Sequence, residues 1–83
     1  MNGVVTFSTP VGPVAISAES RSRLIDIVRR DGWKQEAEII ESADDGALIE
    51  LDPVGRLAVR ALLVGFATLP DDLVRLCDAL ARR

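Results

Sequence analysis

The chain has 83 residues but no histidine, no tyrosine and only one cysteine. Without histidine, Ser-His and Cys-His nucleophile pairs cannot form within the chain. A single cysteine excludes an intrachain disulfide, and without histidine it cannot build a zinc site of the common kinds. We therefore expect no catalytic residues, no metal and no cofactor. Cys77 falls on an apolar stripe and is expected to be a core residue.

Long hydrophobic runs are also missing. The longest apolar run after Arg60 covers residues 61–67. It is much shorter than the roughly 20 residues that a membrane span needs. Residues 1–9 lack the basic and then apolar pattern of a signal peptide. We expect no membrane partner and a cytoplasmic location.

Charge is absent from residues 1–18 and unevenly distributed afterwards. The net charge is +2 over residues 19–34, −7 over residues 35–52 and +2 over residues 53–83, which gives the overall −3. A basic segment therefore precedes an acidic one. Both segments can be solvated faces of opposite sign. Alternatively, the basic segment forms a patch that binds the phosphate backbone of a nucleic acid.

Hydrophobic residues make up 48% of this small chain. Because a small domain buries a limited share of its surface, part of this apolar material is expected to lie against another subunit. We expect a homodimer.

The first half of the chain predicts a hairpin and a helix. Residues 4–9 and 14–18 are rich in β-branched side chains and are separated by a Pro-Gly turn. A helix capped by Ser20 or Ser22 should follow and end before Gly32.

Residues 34–43 are ambiguous between a helix and a strand. The Asp-Gly step at Asp45 and Gly46 favours a second hairpin, with strands over residues 36–42 and 47–51. Gly46 should then have a positive φ.

Two helices should complete the chain. Asp52 and Pro53 form a typical helix start, and the helix over residues 53–68 is apolar on nearly every side. We expect it to hold the oligomer together through Leu57, Ala61, Leu62, Val64 and Phe66. The last helix should begin near Pro70 and end with Arg82 and Arg83 near its negative C-terminus.

Part of the sequence resembles the AbrB-like swapped-hairpin DNA-binding domains of bacterial transition-state regulators and many antitoxins. The similarity covers residues 4–53, and its motif residues are Gly12, Val14, Ile16, Glu19, Arg21 and Leu24. Pro13 stands where that family usually has an arginine, and Ser17 where it has a proline. The resemblance implies an intertwined homodimer that binds double-stranded DNA, with Arg21 as a contact; charge alone adds Arg23, Arg29, Arg30 and Lys34 to that surface.

The predicted fold is thus α+β: two β-hairpins flanking a helix, in ββαββ order, followed by two C-terminal helices. Residues 1–83 should form one domain, with a hairpin and helix part over 4–53 and a helical hairpin over 53–83. Two functions remain open. One is a dimeric DNA-binding transcriptional regulator or antitoxin-like protein. The other is a small protein-interaction module, an inhibitor, adaptor or assembly subunit with a β-grasp-like start and no nucleic-acid binding.

Overall fold

The computed structural model describes residues 3–81, which form a three-stranded sheet and four helices. Arg82 and Arg83, predicted at the end of the last helix, lie outside the described residues. The elements in chain order are β1 (Val5–Thr9), β2 (Gly12–Ile16), α1 (Ala18–Arg30), α2 (Lys34–Ser42), β3 (Leu48–Ile49), α3 (Pro53–Val64) and α4 (Asp71–Ala81).

The first hairpin is confirmed, since β1 and β2 pair antiparallel. The helix after it begins earlier than predicted. Ser17 is the N-cap of α1, and its hydroxyl accepts a hydrogen bond from the Ser20 amide at 3.2 Å. Gly32 ends α1 with a φ of 88°, as predicted, because a left-handed residue after a helix is easily supplied by glycine.

The predicted strand over residues 36–42 is wrong, because this segment is helix α2. Its two buried residues, Ala37 and Ile40, are three positions apart and pack toward the core. Ile39, which a strand would have turned inward with Ala37, is 39% exposed. Burial therefore follows the helical spacing, and the alternation of apolar residues does not decide the structure.

The two-hairpin fold is wrong for the same reason. The turn at residues 44–46 exists and Gly46 has a φ of 79°, but it joins α2 to β3. Strand β3 pairs parallel with β1, with Thr6 opposite Leu48 and Phe7 opposite Ile49. The sheet order is β2-β1-β3, so helices α1 and α2 carry the chain to the far edge of β1.

The core lies between one face of the sheet and the helices. Sheet residues Val5, Phe7, Ile16 and Ile49 are buried. The helices contribute buried aliphatic side chains, among them Leu24, Val28, Ile40, Val59, Leu63, Leu73 and Leu76. Within residues 3–81 no helix is long and apolar enough to cross a bilayer.

The two C-terminal helices start where the sequence predicts. The Asp52 carboxylate accepts a hydrogen bond from the Gly55 amide at 2.6 Å, and Pro53 opens α3. Helix α3 ends at Val64, four residues earlier than expected. The amides of Gly65 and Phe66 donate hydrogen bonds to the carbonyls of Leu62 and Leu63, three residues earlier, which closes the last turn.

One carboxylate joins the N-termini of α1 and α4. Asp72 accepts hydrogen bonds from the Ser17 amide at 2.8 Å, the Ser20 hydroxyl at 2.5 Å and the Leu73 amide at 2.9 Å. Burial raises the pKa of Asp72, but the hydrogen bonds from Ser17, Ser20 and Leu73 lower it by more, so this pKa lies below its ordinary value.

Replacing Asp72 by Asn should lower the free energy of unfolding by about 1 kcal/mol at pH 7, because hydrogen bonds to a charged carboxylate are stronger than those to a neutral amide. The ionised form stabilises the fold above the unfolded-state pKa of about 3.9. That contribution is lost as the pH falls through the lower folded-state pKa. Urea unfolding at pH 7 and pH 3 should therefore show a smaller difference between variant and parent at pH 3.

The control is Asp71→Asn, which removes a charge from the same helix turn at an exposed residue. Equal losses for the two variants, or a loss for Asp72→Asn that does not change with pH, would contradict the role given to Asp72.

Candidate interaction surface

Arg21, the residue that the family resemblance marks as a DNA contact, is only 1% exposed. Its guanidinium donates hydrogen bonds to the Ile40 carbonyl from Nε at 3.1 Å and from Nη2 at 2.8 Å. Nη2 also donates hydrogen bonds to the carbonyl oxygens of Glu41 and Ala43. The last carbonyls of a helix have no amide partners within the helix, so Arg21 of α1 satisfies the C-terminal end of α2.

Two further partners complete the surroundings of Arg21. Its Nη1 donates to the Gly3 carbonyl at 3.2 Å and lies 3.7 Å from an oxygen of the exposed Asp45 carboxylate. The expectation that Arg21 is exposed is therefore wrong. In this fold its donors serve the protein's own backbone.

The other four predicted contact residues, Arg23, Arg29, Arg30 and Lys34, are exposed. Arg29 forms an ion pair with Glu41 at 2.9 Å. Arg23 donates to the Thr68 carbonyl at 3.2 Å. Arg30 and Lys34 form no ion pair within residues 3–81. DNA binding by these side chains stays a prediction.

Helix α3 is buried on one side and open on the other. Gly55, Ala58, Val59 and Leu63 face the core. On the opposite side Val54 is 60% exposed and Leu57 and Val64 are each 64% exposed, with Ala61 exposed between them. The sequence makes this helix apolar on nearly every side, and the chain covers only one of them.

Phe66 extends this apolar side beyond the end of α3. It is 44% exposed and lies between two hollows. The first has a volume of about 450 Å³ and is lined by Arg23, Asp26, Ile27, Arg30, Asp31, Leu62 and Phe66. The second, of about 350 Å³, brings Phe66 and Val64 together with the exposed Val74 of α4.

We call the six exposed residues Val54, Leu57, Ala61, Val64, Phe66 and Val74 the α3 surface. Four of the five predicted oligomer-contact residues belong to it: Leu57, Ala61, Val64 and Phe66. The fifth, Leu62, is half-buried and packs against the core. Val54 and Val74 were not among the predicted contact residues. Val54 could have been predicted, because its spacing from Leu57, Ala61 and Val64 puts it on the same side of the helix.

Cys77 is half-buried beside this surface, and its Sγ lies 3.8 Å from the Arg60 carbonyl. Burial raises the pKa of the Cys77 thiol, opposed by the charge of Arg60. The raised pKa favours the protonated thiol at neutral pH. Within the part of the chain that the structure describes, no group of three or more acidic or cysteine side chains is placed to hold a metal.

A comparison of the chain with protein-family models, curated proteins and solved structures finds no match.

Replacing Arg21 by Ala should lower the free energy of unfolding by about 3 kcal/mol, because buried carbonyls at the end of α2 lose their donors. The control Arg23→Ala removes the same charge from an exposed position of the same helix and should change stability by less than about 0.5 kcal/mol. Chemical denaturation measures both.

If the two arginine variants are equally stable, the structural role of Arg21 is wrong. Arg21→Lys should recover only part of the loss, since an ammonium group cannot reproduce the planar set of donors.

Proposed function

We propose that this chain is a protein-interaction module that binds through the α3 surface. The observation that carries the proposal is the outward face of α3, where Val54, Leu57 and Val64 are each at least 60% exposed. Monomeric proteins rarely expose contiguous apolar patches of large size, and such patches mark contact sites. An apolar stripe that runs along a whole helix matches this description better than scattered exposed aliphatic residues do.

Phe66 adds a feature typical of protein contacts. Aromatic side chains are enriched at the centres of interfaces, where they fill pockets and account for much of the binding energy. Phe66 follows the Gly65 cap of α3 and stays 44% exposed. Arg23 and Arg30 border the hollow next to it together with Asp26 and Asp31, which makes a polar rim beside an apolar centre.

The charges of α1 give DNA binding less support. The prediction of a DNA-binding regulator or antitoxin-like protein depended on Arg21, whose donors are occupied by backbone carbonyls. Arg29 is paired with Glu41, and Asp26 and Asp31 lie among the remaining arginines. Phosphate binding needs concentrated positive charge, and this arrangement alternates the two signs.

Site-specific photocrosslinking tests the proposal. A photoreactive residue at Leu57, introduced in the producing cell, should give discrete protein adducts. The same residue at Glu38, exposed on α2, is the matched control and should give none. Absence of adducts at Leu57, or the same adducts at both positions, would contradict a contact surface on α3.

A titration with random duplex DNA tests the competing function. We expect no binding even at low salt. Binding that weakens steeply as salt is added would favour the DNA-binding function, because such a slope reports release of phosphate counterions.

A further inference from the structure

The exposed residues of α3 follow a spacing that two copies of the helix could share. Val54, Leu57, Ala61 and Val64 are separated by three, four and three positions and all face outward. This is the spacing of a helix-helix seam, in which apolar residues recur at alternating intervals of three and four. The order three, four, three is also the same when read from either end, so each apolar position can face an apolar position in an antiparallel pair.

Side-chain sizes fit the same arrangement. A two-fold axis midway between Leu57 and Ala61 places Leu57 of one copy opposite Ala61 of the other. It also places Val54 opposite Val64. The largest side chain of the seam thus meets the smallest, which lets the two helices approach closely and interdigitate.

The exposed apolar area sets the strength of such a contact. The α3 surface offers on the order of 400 Å² of apolar area per copy, since its large exposed aliphatic and aromatic side chains are 44% to 64% accessible. Two copies therefore bury about 800 Å² before the stems of flanking side chains are added. This is below the roughly 1,000 Å² of a stable interface, so we expect a weak, reversible dimer with a dissociation constant between about 1 µM and 1 mM.

Charge opposes the pairing only weakly, because the repulsion between two solvent-exposed arginines is small in water. Arg60 is the only exposed charged residue of α3, and it lies at the border of the apolar stripe next to α4. A long arginine side chain at such a border can cover apolar surface with its stem while its charged end stays in water. The two Arg60 side chains would share one flank of the pair, so added salt should not dissociate it.

We infer that the occupant of the α3 surface is a second copy of this chain, packed antiparallel along α3. This inference rests on the proposed function and names its partner. The contact is isologous, since each copy contributes the same residues.

Sedimentation equilibrium of the purified protein tests the inference. The parent should dimerise with a dissociation constant in the micromolar range, also in 1 M salt. Leu57→Glu should weaken the dimer at least about tenfold, because it buries a charge without a partner. Ile39→Glu makes the same change at an exposed aliphatic residue of α2 and should leave the dimer unchanged. Circular dichroism should show that both variants keep the parent's helix content, since both sites are exposed.

Disulfide formation between single-cysteine variants tests the register. In a Cys77→Ala background, a mixture of Leu57→Cys and Ala61→Cys chains should form the mixed disulfide much faster than either variant alone forms its own. Faster self-linkage of the Leu57→Cys variant would overturn the antiparallel register and indicate parallel helices.

A parent protein that stays monomeric up to about 1 mM would overturn the second copy as occupant. Photocrosslinks from Leu57 to a different protein would then still support the proposed function, so the two failures are distinguishable. A dimer that persists unchanged in Leu57→Glu would overturn the inference as well, because the contact would lie elsewhere.

Discussion

The buried guanidinium of Arg21 is the interaction on which the arrangement of the first half of the chain depends. The C-terminal carbonyls of α2 lie against α1 and would be left without donors in the interior, which is costly. Arg21 satisfies them and also reaches Gly3 and Asp45. Arg21 therefore holds α2 against α1. It also holds Gly3 beside the turn at residues 44–46. The amide of Gly46 donates to the Val4 carbonyl at 2.7 Å, which holds that turn where β3 can pair with β1.

Features that depend on a few neighbouring residues could be predicted from the sequence. The first hairpin, the left-handed Gly32 and Gly46 and the start of α3 at Asp52 and Pro53 are all local in origin. The conformation of residues 36–42 is not. Its pattern fits a strand or a helix, and packing of Ala37 and Ile40 decides between them. The burial of Arg21 depends on the same choice between strand and helix, because the last turn of a helix has several carbonyls without amide partners and the end of a strand does not.

The candidate surface was partly predictable for a related reason. The residue spacing shows that α3 is apolar on nearly every side, and a chain of this size was therefore expected to leave part of that apolar area uncovered. Which side is exposed depends on the position of α4 and α1 and cannot be read from the sequence. The structure leaves the side with Leu57 and Val64 open and turns Leu62 toward the core. In the dimer that we propose, the same helix completes the interior of one copy and contacts the other.

If the outer face of α3 holds a second copy of this chain, the amide chemical shifts of that face should depend on protein concentration. Proton-nitrogen correlation spectra recorded between about 1 mM and about 20 µM protein span the expected micromolar dissociation constant. We predict concentration-dependent shifts at Val54, Leu57, Ala61, Val64 and Phe66, with unchanged amides in α2 and the sheet. Spectra that do not change with concentration, or shifts that cluster at Arg23 and Arg30 instead, would contradict the pairing of two copies through α3.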